Sequence, residues 1–510
     1  MKIKKLKLKN FRAYKDETVI EFGNLTAFVG KNDIGKSTIL EALDIFFNEN
    51  KGIVKIDQND VNKSAKNVGD EEIIISVVFD DLPEKIIIDA TNETTLKDEF
   101  LLNTEGLLEV IKKYPNGGKE KVFIKAMHPS NPNCSNLLLK KHNELKEILS
   151  DFKIECPDQT RNAAIRKAIW DYFRADLQLK ETEIDISKED AKNIWEQLKN
   201  YMPLYSLFQS DRKNSDNDSE VQDPLKEAVK QILNDANLKI KFNEIASEVE
   251  RKLKEVSTRT LEKLREMNPE AAHSLNPVIP TAENLKWIDV FKNVSISGDE
   301  DIPINKRGSG IRRLVLLNFF RAEAERRKEE RNVPDIIYGI EEPETSQHPQ
   351  HQRVLIESFK NLAQNGTTQI ILTTHSPAIV KLLEFEQLRL LKKEDGEVNV
   401  VAVEKSDLPY PSLNEINFLA FGESNEEYHN ELYGYIESEG KLGDYKKGKK
   451  TLKYKRILNG EQIEQNLILS EYIRYQIHHP ENTLNERYTF EQLQESIQLM
   501  RDFIKGMKLK

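Results

Sequence analysis

Only two cysteines and three tryptophans stand among 510 residues. No apolar run approaches the roughly 18 residues that a membrane-crossing helix needs, so no membrane partner is expected. Cys134 and Cys156 are too few for a disulfide framework or a cysteine metal site, and a reducing cytoplasm is the expected setting. The opening MKIKKLKLKNFRAY is basic, but it alternates as a strand does and lacks the apolar core of a signal peptide. Positive charge is also short: 76 Lys and Arg face 86 Asp and Glu, for a net charge of −10. That excludes a globally basic nucleic-acid coat and leaves only local patches for such contacts. The length suits two or three domains with ample core.

What the sequence does have is a phosphate loop. GKNDIGKS, Gly30 to Ser37, follows the short apolar strand LTAFV and opens KSTILEALDIFF, whose Leu40, Leu43, Phe46 and Phe47 share a helical face. The glycines let backbone N–H groups turn toward phosphates, and the helix N-terminus adds its dipole. Lys36 is placed to reach the β- and γ-phosphates and Ser37 to ligate Mg²⁺.

Three later stretches complete a set. KRGSGIRRLVLLNFF carries a glycine-serine-glycine turn that opens a helix. PDIIYGIEEPETSQHP has an apolar strand, Ile336 to Ile340, ending in Glu341 and Glu342, and TTQIILTTHSPAIV has a second ending at His375. Parallel strands deliver their last residues to one sheet edge, where α/β folds bind ligands. There Glu341 can hold Mg²⁺, Glu342 can polarise the attacking water, and His375 can contact the γ-phosphate and sense its loss.

GKNDIGKST, RGSGIRRL, IEEPETSQHP and LTTHSP resemble the Walker A, signature, Walker B with D-loop, and H-loop of ABC-type ATPases. The branch they resemble is the SMC/RecF/OLD-like one, which includes ATPases of bacterial anti-phage systems such as the Septu-type ATPase. LKNFRAY matches the opening of that branch, and the resemblance covers residues 1–80 and 285–405. It implies ATP and Mg²⁺ as cofactors. Gly30, Lys31, Asn32, Asp33, Gly35, Lys36, Ser37 and Thr38 would cradle the nucleotide, with Arg12 near it. It also implies a homodimer or higher oligomer in which Ser309 and the backbone of Gly308 and Gly310 complete the site from the opposite subunit. Glu341 stands where an aspartate is usual and keeps the carboxylate. For the glutamine loop of such ATPases, Gln58 is the one candidate.

The expected fold is α/β, an ABC-type P-loop ATPase head with a helical insert and a mainly helical C-terminal module. The divisions expected are lobe I at 1–80, a mixed and largely helical insert at 81–284, lobe II at 285–405, and the C-terminal module at 411–510. The insert's helical stretch from Pro224 to Met267 is about 43 residues, roughly 65 Å if straight, with a break expected at NDAN. No heptads run long enough for a rod, so a compact insert carrying oligomer or partner contacts is expected.

After His375 the aspartates are Asp395, Asp407, Asp444 and Asp502, with no two adjacent or one apart. The D-x-D pair of a Toprim nuclease is therefore missing. The tail instead offers a basic run from Lys441 to Arg456, a local patch for nucleic acid, and two helices joined by a Pro-Glu-Asn turn. Arg474 and His479 resemble the R-x(4–6)-H motif of HEPN ribonucleases, in which arginine stabilises phosphorane charge and histidine serves as base. Two functions follow. One is an ATPase sensor and scaffold in anti-phage defence controlling a toxic nuclease, HNH or other, encoded nearby. The other is a nucleotide-gated ribonuclease in the same chain. A RecF-like repair ATPase shares the head but accounts for neither insert nor tail.

Overall fold

The computed structural model describes residues 1–49, 52–89, 92–186, 191–209, 232–233, 235–267, 335–345, 348–394, 397–403 and 412–508. Among them the strands run, in chain order, β1 (Lys2–Lys9), β2 (Thr18–Glu21), β3 (Leu25–Val29), β4 (Glu72–Asp80), β5 (Ile86–Asp89), β6 (Asn92–Thr94), β7 (Leu108–Pro115), β8 (Lys121–Pro129), β9 (Leu179–Asp185), β10 (Leu204–Phe208), β11 (Ile336–Glu341), β12 (Thr368–Thr374), β13 (Leu388–Glu394), β14 (Glu397–Ala402), β15 (Thr451–Leu458) and β16 (Glu461–Ile468).

Two six-stranded sheets carry the head. The first is antiparallel, ordered β2-β1-β4-β7-β8-β9. Its strands alternate, as β1 shows by burying Ile3, Leu6 and Leu8 while its lysines face outward. The second is ordered β10-β11-β12-β3-β13-β14, parallel except for the antiparallel edge strand β14. LTAFV of β3 and TQIILTT of β12 are buried throughout, the continuous pattern of strands covered on both faces. The phosphate-loop helix α1, Lys36–Asn48, shares one hydrophobic cluster with both sheets, and Leu40, Leu43 and Phe46 are buried in it. Ile39, Ala42 and Ile45 are buried too, because the helix is covered on several faces rather than one.

The boundary expected at residue 80 falls inside the antiparallel sheet. Strands β7, β8 and β9 extend that sheet, β10 joins the parallel one, and the helices His142–Asp151, Asn162–Tyr172 and Ala191–Lys199 lie between these strands, so the described residues of 81–209 mix helix and strand. The long helix is described from Ala236 to Met267. It begins within NDAN, where the Asp235 carboxylate accepts from the amides of Asn237 and Leu238.

The C-terminal module packs the helices Glu426–Ser438, Leu469–His478 and Phe490–Lys508 around Leu432, Ile436, Ile473, Ile497 and Met500. The basic run does not end in a helix. It enters β15, which pairs with β16 through a turn at Asn459 and Gly460, both at positive φ, the asparagine-glycine hairpin chemistry. Its charge is partly neutralised. Lys446 pairs with Glu471, Lys447 with Asp444 at 2.7 Å, and Lys453 with Glu464 at 2.8 Å.

Where β10 meets β11, Gly339 leaves room for Tyr205, whose buried hydroxyl donates to the Leu40 carbonyl of α1 at 2.8 Å. A Cβ on residue 339 would fall inside the van der Waals shell of that hydroxyl. Gly339→Ala is therefore expected to lower stability by about 1–3 kcal/mol, as overpacking does, read as a shifted urea midpoint with unchanged slope.

Candidate functional site

Three parallel strands end at one edge. Val29 of β3 leads into the loop, β11 ends at Glu341, and β12 ends at Thr374, with His375 next. Between them lies a cavity of about 740 Å³ whose walls include Arg12, Asp33, Lys36, Ser37, Thr38, Gln209, Glu341 and Glu342, with Asn32 and Gly35 at the loop. That volume is ample for a nucleotide.

The loop curls because Asp33 and Gly35 take positive φ, 61° and 101°. Gly35 could not exchange for a residue with a side chain without strain. Tyr14, from FRAY, is buried under the loop and donates its hydroxyl to the Gly35 carbonyl at 3.1 Å. Burial pushes the Tyr14 phenol pKa upward, so it stays a donor. Lys36 is 5% exposed and donates to the carbonyls of Gly30 at 2.9 Å and Lys31 at 2.8 Å. Burial pushes its ammonium pKa down, while Glu342, Glu344, Asp33 and Glu341 pull it back.

Ser37 donates its hydroxyl to the Glu341 carboxylate. These hard oxygens lie beside the loop and suit Mg²⁺. Glu342 sits at φ 42°, and its amide donates to the Thr373 carbonyl at 3.0 Å. His375 Nδ1 lies 2.9 Å from Glu342 Oε1. Arg12 also reaches the cavity, donating from Nε to Asp60 at 2.7 Å and pairing with Glu41.

Two residues escaped the sequence reading. Gln58 is exposed in a short turn, Gln58–Asp60, and is not among the cavity's walls. Gln209 stands there instead, directly after β10, the neighbour of β11. Its Nε2 donates to Glu41 at 3.2 Å, and its buried Oε1 has no partner among the described residues. The signal was LYSLFQ, a short apolar run closed by a glutamine. The second is Glu344, whose carboxylate accepts from the Thr374 hydroxyl at 2.6 Å and the His375 amide at 3.2 Å. The orphaned Gln209 oxygen, the Ser37–Glu341 pair and the buried Lys36 together fit a nucleotide triphosphate with its metal.

The other expected residues lie elsewhere. Ser309 and Gly310 are outside the described residues. Arg474 packs over the Tyr433 ring, 4.4 Å from its centroid, and reaches Glu437 at 3.5 Å. His479 is exposed beside Glu481, 3.2 Å away. The structure gives the two no common partner among the described residues.

A parallel sheet with the phosphate loop on inner strand β3 and carboxylates at the end of β11, with β12 between the two, defines the class of P-loop ATPase domains. The chain belongs to the AAA ATPase domain family, whose model matches residues 1–380. It is 25% identical over 415 residues to an OLD nuclease of Thermus scotoductus, covering 79% of this chain and 65% of that one. To endonuclease GajA of Bacillus cereus it is 24% identical over 433 residues, covering 74% and 58%. The chain thus spans less than two thirds of each relative's length. Among solved structures, it is 13% identical to the SMC head domain from Thermotoga maritima, covering 79% of this chain and all of that one at a TM-score of 0.32. An Smc head from Pyrococcus furiosus with an extended coiled coil, bound to the C-terminal domain of ScpA, is also 13% identical. It covers 79% of this chain and 96% of that one, with a TM-score of 0.35.

Replacing Tyr14 by Phe removes the hydroxyl under Gly35 and is worth about 0.5–1.5 kcal/mol of loop order. Affinity for a fluorescent ATP analogue should fall roughly threefold to tenfold with the fold intact. Unchanged affinity would mean that the loop holds its shape without the tyrosine.

Proposed function

We propose that this chain binds and hydrolyses ATP with Mg²⁺ and serves as the sensor and scaffold subunit of an anti-phage defence system, controlling a nuclease effector. The observation that carries the ATPase reading is the meeting of Lys36, Ser37, Glu341 and Glu342 on one cavity. Lys36 exchanges its loop carbonyls for phosphate oxygens, Ser37 and Glu341 hold the metal, and Gln209 offers its free carbonyl oxygen to the same region. Mg²⁺ bound there offsets charge on the β- and γ-phosphates. Glu342 turns from His375 to orient the attacking water and accept its proton, and His375 sits where loss of the γ-phosphate is felt.

The sensor reading draws on how the site is tied to the tail. The short helix Pro377–Val380 begins two residues after His375. Its Pro377 carbonyl accepts from Asn417 at 3.4 Å, in the helix Leu413–Phe421 that leads to the C-terminal module. Lys381 pairs with Glu427 of the next helix. Nuclease work is assigned to an effector, HNH or other. The relatives named OLD nuclease and endonuclease GajA motivate the link to a nuclease, and the motif resemblance to anti-phage ATPases motivates the link to defence. Arg474 and His479 are each committed to a different carboxylate, which favours the effector in trans over a ribonuclease in the tail.

Glu342→Gln should keep ATP affinity while lowering turnover by about 10²-fold or more, the usual worth of a positioned base. Hydrolysis at the parental rate would end the assignment. Sites shared between two copies, each finished by Ser309 and Gly310 of the other, make a second expectation. Lys36→Ala and Ser309→Arg chains, each inactive alone, should regain activity when mixed, since each heterodimer keeps one intact site. Heterodimers that form without activity would exclude sharing.

A further inference from the structure

The loop after β11 carries a third carboxylate for which the mechanism above has no use. Glu344 has a side chain 5% exposed, yet it holds a full acceptor pair. Its Oε1 takes the Thr374 hydroxyl at 2.6 Å and the His375 amide at 3.2 Å, tying the end of β12 to the loop after β11. The Thr374 hydroxyl in turn accepts from the Ser376 amide at 3.0 Å. Its Oε2 is buried without a partner among the described residues. Burying an acceptor of this strength unpaired is costly, so the oxygen invites a donor that arrives in another arrangement of the site.

That donor is close. His375 Nδ1, itself buried with no hydrogen-bond partner among the described residues, lies 3.8 Å from the other oxygen of that carboxylate, Oε1, and 2.9 Å from Glu342 Oε1. One ring nitrogen therefore has two carboxylates within reach, and they are not equivalent. Glu342 stands at a left-handed φ of 42°, a conformation that costs free energy and marks a residue with more than one use. Glu344 is fixed by two hydrogen bonds to the strand end itself. Once Glu342 has accepted the attacking water's proton, its neutral carboxyl is a weaker partner for His375.

We propose that Glu344 is the positioning residue for His375, fixing the end of β12 and taking over the ring Nδ1–H when Glu342 turns to the attacking water. This rests on the ATPase reading. The ring is then held in one orientation throughout the cycle, with Nε2 presented to the nucleotide, and no step leaves the histidine without an anionic partner. Burial, which raises the Glu344 carboxyl above the usual carboxylate range against the pull of Thr374 and the backbone amides, is eased by that same ring donor.

The test is Glu344→Gln, which keeps a carbonyl oxygen for Thr374 and the His375 amide but removes the anionic acceptor. The expected result is kcat down about tenfold or more with KM within roughly threefold, since only the reacting arrangement suffers. The melting temperature should stay within about 2 °C. A second readout needs no turnover. In ¹⁵N-histidine spectra, Glu342→Gln should retain a single His375 ring tautomer with Nδ1 protonated, and Glu342→Gln with Glu344→Gln should show a mixture. Parental kcat for Glu344→Gln, or one unchanged tautomer in the double variant, would overturn the proposal. So would a KM that rises as much as kcat falls, which would mark a merely structural staple. If Glu342→Gln itself leaves hydrolysis intact, it is the ATPase reading that fails.

Discussion

The hydroxyl of Ser37 meets the carboxylate of Glu341 across 304 residues of chain, and the site depends on the two standing side by side. Nothing local brings the two together. The register of the parallel sheet does, through β12, which pairs Glu341 with Thr373 on one side and Val29 with Thr374 on the other. Because side chains alternate along a strand, a slip of one residue would turn Glu341 to the opposite face and present its neighbour instead. The continuous burial of β3 and β12, with β11 buried up to its last residue, therefore does more than stabilise the head. It holds the serine and the carboxylate in one place.

That dependence explains which parts were legible in the sequence. The loop, β3, β11 and β12 are each recognisable from short-range pattern: glycines at fixed spacing, then unbroken apolar runs that end in a charged or polar residue. Gln209 is not, because its meaning comes from β10 lying beside β11, a pairing between residues more than a hundred apart. LYSLF alone is an ordinary apolar run. Gln58 had the better address in the sequence and the wrong one in space. Strand β9 was hidden for another reason. LKETEID is charged at four of its seven residues, since this outer strand of the antiparallel sheet buries little. The β15–β16 hairpin had its asparagine-glycine turn in plain view, but the lysines before it drew the reading toward a basic patch for nucleic acid rather than a strand.

Charge at the site is arranged around a shortage. Lys36 is the buried cation, surrounded by Asp33, Glu341, Glu342 and Glu344, while Arg12 is already answered by Asp60 and Glu41. The lysine spends its hydrogen bonds on two loop carbonyls, acceptors weaker than an anion. Phosphate oxygens would offer it a better partner, and a metal held by Ser37 and Glu341 would offset the carboxylates that otherwise repel them. Ligand and metal would then depend on each other, each making room electrostatically for the other.

Backbone strain gathers at the same edge. Asp33, Gly35 and Glu342 all stand at positive φ within the walls of one cavity, and such conformations persist only where the surroundings over-determine them. At Glu342 the determinant is β12, whose Thr373 carbonyl and hydroxyl both receive the Glu342 amide. The next residue but one on β12's side is His375, and two beyond it the chain enters the helix that touches the path to the C-terminal module. A strained carboxylate after β11, the histidine beside it after β12 and the helix behind that histidine are linked across two neighbouring strand ends. Relief of strain at Glu342 would be felt beside it at His375, and the hydrogen bond from Asn417 to the Pro377 carbonyl joins that strand end to the helix that leads to the C-terminal module.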